Sequence, residues 1–74
     1  MENKIQHALF KALRNRFEAE KDESYATLCV YFENPAGIGE HPQVVEEMAK
    51  QIDKMASAED KLKTLTITFK EYFS

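Results

Sequence analysis

Few residues in this chain carry side chains that could do chemistry, and most of them crowd into one segment. Asn34-Pro35-Ala36-Gly37-Ile38-Gly39-Glu40-His41-Pro42 holds both glycines, both prolines and one of the two histidines. Glycines beside the start of a helix can offer backbone N–H groups to a phosphate or carboxylate. His41 could add a proton or a metal lone pair, while Glu40 would repel an anion. Gly37, Gly39, Glu40 and His41 are therefore the candidate residues for binding a ligand or partner. The competing reading is structural: every one of them also suits a turn between two helices. The segment lacks the Gly-Lys-Ser/Thr ending of a phosphate-binding loop and has no dinucleotide fingerprint.

Elsewhere the chemistry thins out. A zinc site needs three or four ligands. Glu40 and His41 supply two, and His7 belongs at the far end of a hairpin, so no metal and no cofactor is expected. Cys29 sits in an apolar run with no base or positive neighbour nearby in sequence, which suits an inert, buried thiol. The paired acids at 22–23, 46–47 and 59–60 fall on polar faces. No nucleophile, acid and base come together, so no catalytic residues are assigned and no enzyme is expected. The stretch from Lys4 to Phe17 has four fixed positive charges and an apolar face. It could touch a membrane, a nucleic acid or an acidic partner, but the favoured reading is that it pairs with Glu59, Asp60 and Glu71.

The elements that would position these residues follow from where the chain is punctuated. All four Gly and Pro residues lie between positions 35 and 42, which divides the chain once. Pro35 pushes Asn34 out of the helical region, so a first helix should end at about Glu33. Pro42 suits the first position of a second helix, and Glu46 and Glu47 place negative charge at its positive end. In that second segment Val45, Met48, Ile52, Met55, Glu59, Leu62, Thr66, Phe69 and Phe73 alternate in steps of three and four, a heptad seam with two polar interruptions, widened by Leu65 and Tyr72. In the first segment Ile5, Leu9, Leu13 and Phe17 share a face with Phe10 and Ala12 beside it. Leu28 and Tyr31 resume a similar face, flanked by Tyr25 and Phe32. Residues 18–24 between them are polar all round, and a break near Asp22-Glu23-Ser24 is open. The reading is an all-α, two-helix antiparallel hairpin, about 2–33 and 42–72, in a single domain 1–74. The alternative is α+β, with strands near 25–32 and 63–70, because both stretches are rich in β-branched and aromatic residues and Thr64, Thr66 and Thr68 alternate with Leu65, Ile67 and Phe69.

Folding the chain back at Ile38 sets residue i opposite roughly residue 76 minus i. Arg14 and Arg16 then approach Glu59 and Asp60, Glu20 and Asp22 approach Lys54, and Lys4 approaches Glu71. Such pairs specify register more than they stabilise. A two-helix hairpin hides one seam, and this chain has apolar residues for more than one. A homodimer closing a four-helix bundle is expected, with Met48, Ile52, Met55, Leu62 and Phe69 as the candidate oligomer interface.

Seventy-four residues bury a marginal core, and a lone cysteine allows no internal disulfide. It suits a reducing compartment, and no leading basic-then-apolar segment or run of roughly 20 apolar residues appears, so a cytoplasmic protein is expected. A net charge of −3 disfavours a dedicated nucleic-acid binder.

The run Phe32-Glu-Asn-Pro-Ala-Gly-Ile-Gly-Glu-His-Pro-Gln-Val-Val, with Ala58-Glu-Asp-Lys-Leu further on, resembles small helical proteins encoded by large tailed bacteriophages. The turn Asn-Pro-x-Gly-Ile-Gly-Glu-His-Pro carries the likeness. It implies a phage origin and a helical hairpin but no particular reaction. The functional expectation is a non-enzymatic interaction protein, a phage accessory factor acting on a host or viral protein through its helical surface or loop. A small-ligand or anion-binding protein using loop 34–42 is the alternative.

Overall fold

A computed structural model describes residues 4–34 and 43–72. Two helices, α1 (Lys4–Glu33) and α2 (Val44–Thr68), lie side by side and antiparallel, followed by a 3-10 turn at Lys70–Tyr72. The molecule is a rod of 58 × 16 × 13 Å, and α1, with 30 residues, spans about 45 Å of its length at the helical rise.

α1 ends where the proline rule places its end: the Asn34 N–H still donates to the Val30 carbonyl at 3.0 Å, and Pro35 follows. It runs unbroken through Asp22-Glu23-Ser24, where Glu, Ala and Lys supply good helix propensity around the serine. α2 starts at Val44 rather than 42. Gln43 precedes it without a side-chain cap, and Glu46 and Glu47 occupy its first turn.

α2 also ends earlier than its heptad pattern suggests. Phe69 leaves helical geometry (φ −122°, ψ 31°), its N–H still donating to the Leu65 carbonyl, and the chain tightens into the 3-10 turn, with the Tyr72 N–H donating to the Phe69 carbonyl at 2.9 Å. The β-branched run Thr64, Thr66, Ile67 and Thr68 weakens the last helical turn. That run does not make a strand, and neither does 25–32: both stretches are helical up to Thr68. A strand would set Leu65 and Ile67 on one face. Instead Leu65 is buried and Ile67 is 64% exposed, the outcome of helical rather than two-residue periodicity.

The seam is the second correction. α2 meets α1 through Val44, Met48, Gln51, Met55, Ala58, Leu62, Leu65 and Tyr72, all buried or half-buried. The row Met48, Met55, Leu62 is as expected. Its companion row is shifted by one residue: Val44, Gln51, Ala58 and Leu65 point inward, whereas Val45, Ile52, Glu59 and Thr66 are exposed. The two supposed polar interruptions are thus surface residues, and Gln51 is the polar member of the real seam. On α1 the inward residues are Phe10, Arg14, Phe17, Lys21, Ser24, Leu28 and Tyr31. Ile5, Leu9 and Leu13, expected inside, are exposed.

Small residues explain the shift. Ser24 and Ala58 are the most buried side chains described, at 2% and 1% exposure. Side chains this small leave room for the two helices to pack together there, which Ile52 or Glu59 in the same place would not. Register moves accordingly. The Lys61 ammonium sits 5.7 Å from the centre of the Phe17 ring, about two positions beyond the expected partner, Glu59. Arg16 pairs along its own helix with Glu20 at 3.4 Å, as Lys21 does with Glu18 and Lys50 with Glu47. Glu20 and Lys54 do line one cleft, as the charge order implied.

Candidate interaction surface

Gly37, Gly39, Glu40 and His41 lie outside the described residues, and the expectation of a binding loop rests there on sequence alone. His7 is exposed on α1. The five candidate interface residues are placed but not gathered on one surface. Met48, Met55 and Leu62 are half-buried along the seam, and Ile52 stands out beside them at 52% exposure. Phe69 belongs by spacing to the row of Met48, Met55 and Leu62. The helix ends before it, however, and it lines a groove with Leu9, Leu13 and Leu65, with its ring 6.3 Å from that of Tyr72.

The rod has two broad faces, one on either side of the seam. On the first, a cleft of about 390 Å³ is lined by Glu20, Glu23, Ser24, Asp53, Lys54, Ser57 and Lys61. It carries acids and bases together. Glu20 is engaged by Arg16 and Lys61 by the Phe17 ring. Neither serine has a histidine beside it among the cleft residues. Among the described residues no three His, Cys, Asp or Glu side chains stand close enough to hold a metal ion. Towards the chain termini the same face turns apolar in a groove of about 260 Å³ formed by Leu9, Phe10, Leu13, Leu65, Phe69 and Tyr72, with Gln6 at its edge.

The second face has the opposite layout. Near the termini Arg14, Glu18, Lys63 and Thr66 surround Leu62 and Ile67 in a polar-rimmed cleft. Residues seven apart return to nearly the same side of a helix. Glu18 therefore continues along α1 as Tyr25 and Phe32, and Thr66 continues back along α2 as Glu59, Ile52 and Val45. Towards the loop this face is consequently apolar: Tyr25, Phe32, Val45 and Ile52 are 60%, 70%, 76% and 52% exposed, over half-buried Met48 and Met55.

Cys29 flanks this patch. It is half-buried rather than fully buried and hydrogen-bonds with Tyr25 one turn earlier. That bond raises the Tyr25 phenol above its ordinary 10.0, with repulsion between its phenolate and the Cys29 thiolate, desolvation and Glu33 adding to the rise. Tyr25 and Phe32, expected from the sequence to flank Leu28 and Tyr31, stand in solvent instead. Their seven-residue spacing from Glu18 is the signal that marks them as surface.

No family model, curated protein or solved structure matches the chain. Among the described residues no helix is long and apolar enough to cross a membrane.

Proposed function

We propose that this protein is a non-enzymatic interaction module that works through the apolar surface of its helical hairpin, associating as a homodimer in which four helices pack together. One observation carries the reading. Among the described residues four apolar ones are buried, Phe10, Leu28, Ala58 and Leu65, while ten large apolar side chains stand in solvent. A chain of this length packed as a compact unit has a radius of gyration of about 11 Å; this one measures 16.6 Å. A rod with so thin a core gains stability by covering its flanks with another helical surface.

The resemblance of the turn segment to small phage proteins supports an accessory role in an infected cell's cytoplasm, with a host or viral protein as the further partner. The ligand-binding alternative depends on Gly37, Gly39, Glu40 and His41, so the helical surface is the stronger basis. Sedimentation equilibrium at micromolar concentration tests the reading. A dimer is expected, and a stable monomer at every accessible concentration rejects it.

A further inference from the structure

Building on that homodimer, we infer that the second copy docks on the loop half of one face only, through Tyr25, Phe32, Val45 and Ile52, in an antiparallel and half-overlapped arrangement. Polarity along the rod decides this. The face that carries the patch is apolar towards the loop, whereas towards the termini Arg14, Glu18, Lys63 and the exposed Glu59 lie around Leu62 and the exposed Ile67. Two copies laid parallel and in full overlap would cover these charges with each other. Laid antiparallel in full overlap, they would set them against the partner's Tyr25 and Phe32. Either arrangement removes several charged groups from water at once, and that desolvation costs more than the apolar contact returns. Sliding two antiparallel copies until only the loop halves meet covers the apolar patch with its own image and leaves the charged halves in solvent. The result is a short four-helix section with a two-helix arm at each end, related by a two-fold axis through the patch.

The patch is also large enough. At the observed exposures its four residues present about 500 Å² on each copy, so complete burial of all four on both copies covers about 1,000 Å², the lower bound for a specific interface, before the rim is added. The apolar groove on the opposite face is the rival site. Its Leu9 is 60% exposed, but its Leu13 and Phe69 are only 44% and 45% exposed and Phe10 and Leu65 are buried, and the Phe69 ring already meets that of Tyr72.

The test compares the parent with Ile52→Glu and Leu13→Glu by sedimentation equilibrium, with circular dichroism to establish that each remains helical. The parent is expected to dimerise, Ile52→Glu to weaken the dimer at least about tenfold, and Leu13→Glu to change it less than about threefold. If the parent is monomeric, the homodimer itself is rejected. If the parent dimerises and Leu13→Glu is the disruptive change, the homodimer stands and this face is overturned. Cross-linking by a short bifunctional maleimide in a Cys29→Ser background gives a second measurement that does not depend on the charged variants folding. Ile52→Cys is expected to link to its own copy. Glu18→Cys is not, because half-overlap holds the two Glu18 positions about 30 Å apart along the rod. Efficient linkage through Glu18→Cys would set the charged halves of the two copies against each other and overturn the arrangement.

Discussion

Along α2 the inward residues form a nearly regular apolar ladder, Val44, Met48, Met55, Ala58, Leu62 and Leu65, interrupted once at Gln51. Along α1 the same seam is filled by Phe10, Phe17 and Leu28, but also by Arg14, Lys21 and Ser24, while Ile5, Leu9 and Leu13 stay outside. The difference teaches that one helix can impose its seam on another. α2 offers a strip through Val44, Met48, Met55, Ala58, Leu62 and Leu65 that stays apolar along nearly its whole length. α1 offers a strong strip near its N-terminus that dies out in the charged middle. A rigid helix must present a continuous line, so α1 adopts the line passing through Ser24, where a small side chain leaves room, and its best apolar row becomes surface. Arg and Lys are tolerated on that line because their stems pack while their charged heads reach water.

Phe10 and Leu9 are neighbours on opposite sides of this choice, and they provide the largest contrast. Phe10→Ala is expected to cost about 3–5 kcal/mol, the usual loss for a buried aromatic, as read by denaturant unfolding. Leu9→Ala should stay within about 0.5 kcal/mol, because surface truncations away from a core rarely do more. Equal losses at the two positions would mean that the expected face through Ile5, Leu9 and Leu13 is the real core.

The packing of these small side chains is the next place to press. Ala58→Leu is expected to destabilise by about 1–3 kcal/mol through overpacking, whereas Ser24→Ala should be neutral or slightly stabilising, because it removes a buried hydroxyl and improves helix propensity. A stabilised Ala58→Leu variant would show that the helices are held apart there.

This is also where the sequence was hardest to read. The segment 18–24 is polar on every side, so nothing in its hydrophobic pattern marks Ser24 as the most buried position on α1. Smallness, rather than polarity, was the informative property. It becomes visible only when Ser24 and Ala58 are considered together across the hairpin. The row Val45, Ile52 on α2 misled for the complementary reason: its residues are as apolar as those of the true row, and hydrophobicity alone cannot distinguish two rows one residue apart.

The smallest effect is local to α1. Cys29→Ala should return the Tyr25 phenol towards 10.0 in a spectrophotometric titration, since the hydrogen bond with Cys29 is the leading cause of its rise. The sign follows from linkage. A phenol raised in the folded state favours folding while protonated, and that contribution disappears as pH climbs through the folded-state value. An unchanged titration would place the cause in Glu33 or in burial instead.

The position of the turn and the helical nature of both segments were determined by the sequence alone, through local physics: Pro35 ends one helix, both glycines sit between the segments, and strong helix formers fill the rest. So was the surplus of apolar residues that points to a partner. Which rows face inward, the register of the pair, and the early release of Phe69 from α2 were decided by tertiary structure. Each depends on how two helices pack against one another, with the small side chains of Ser24 on one helix and Ala58 on the other taking the most buried places.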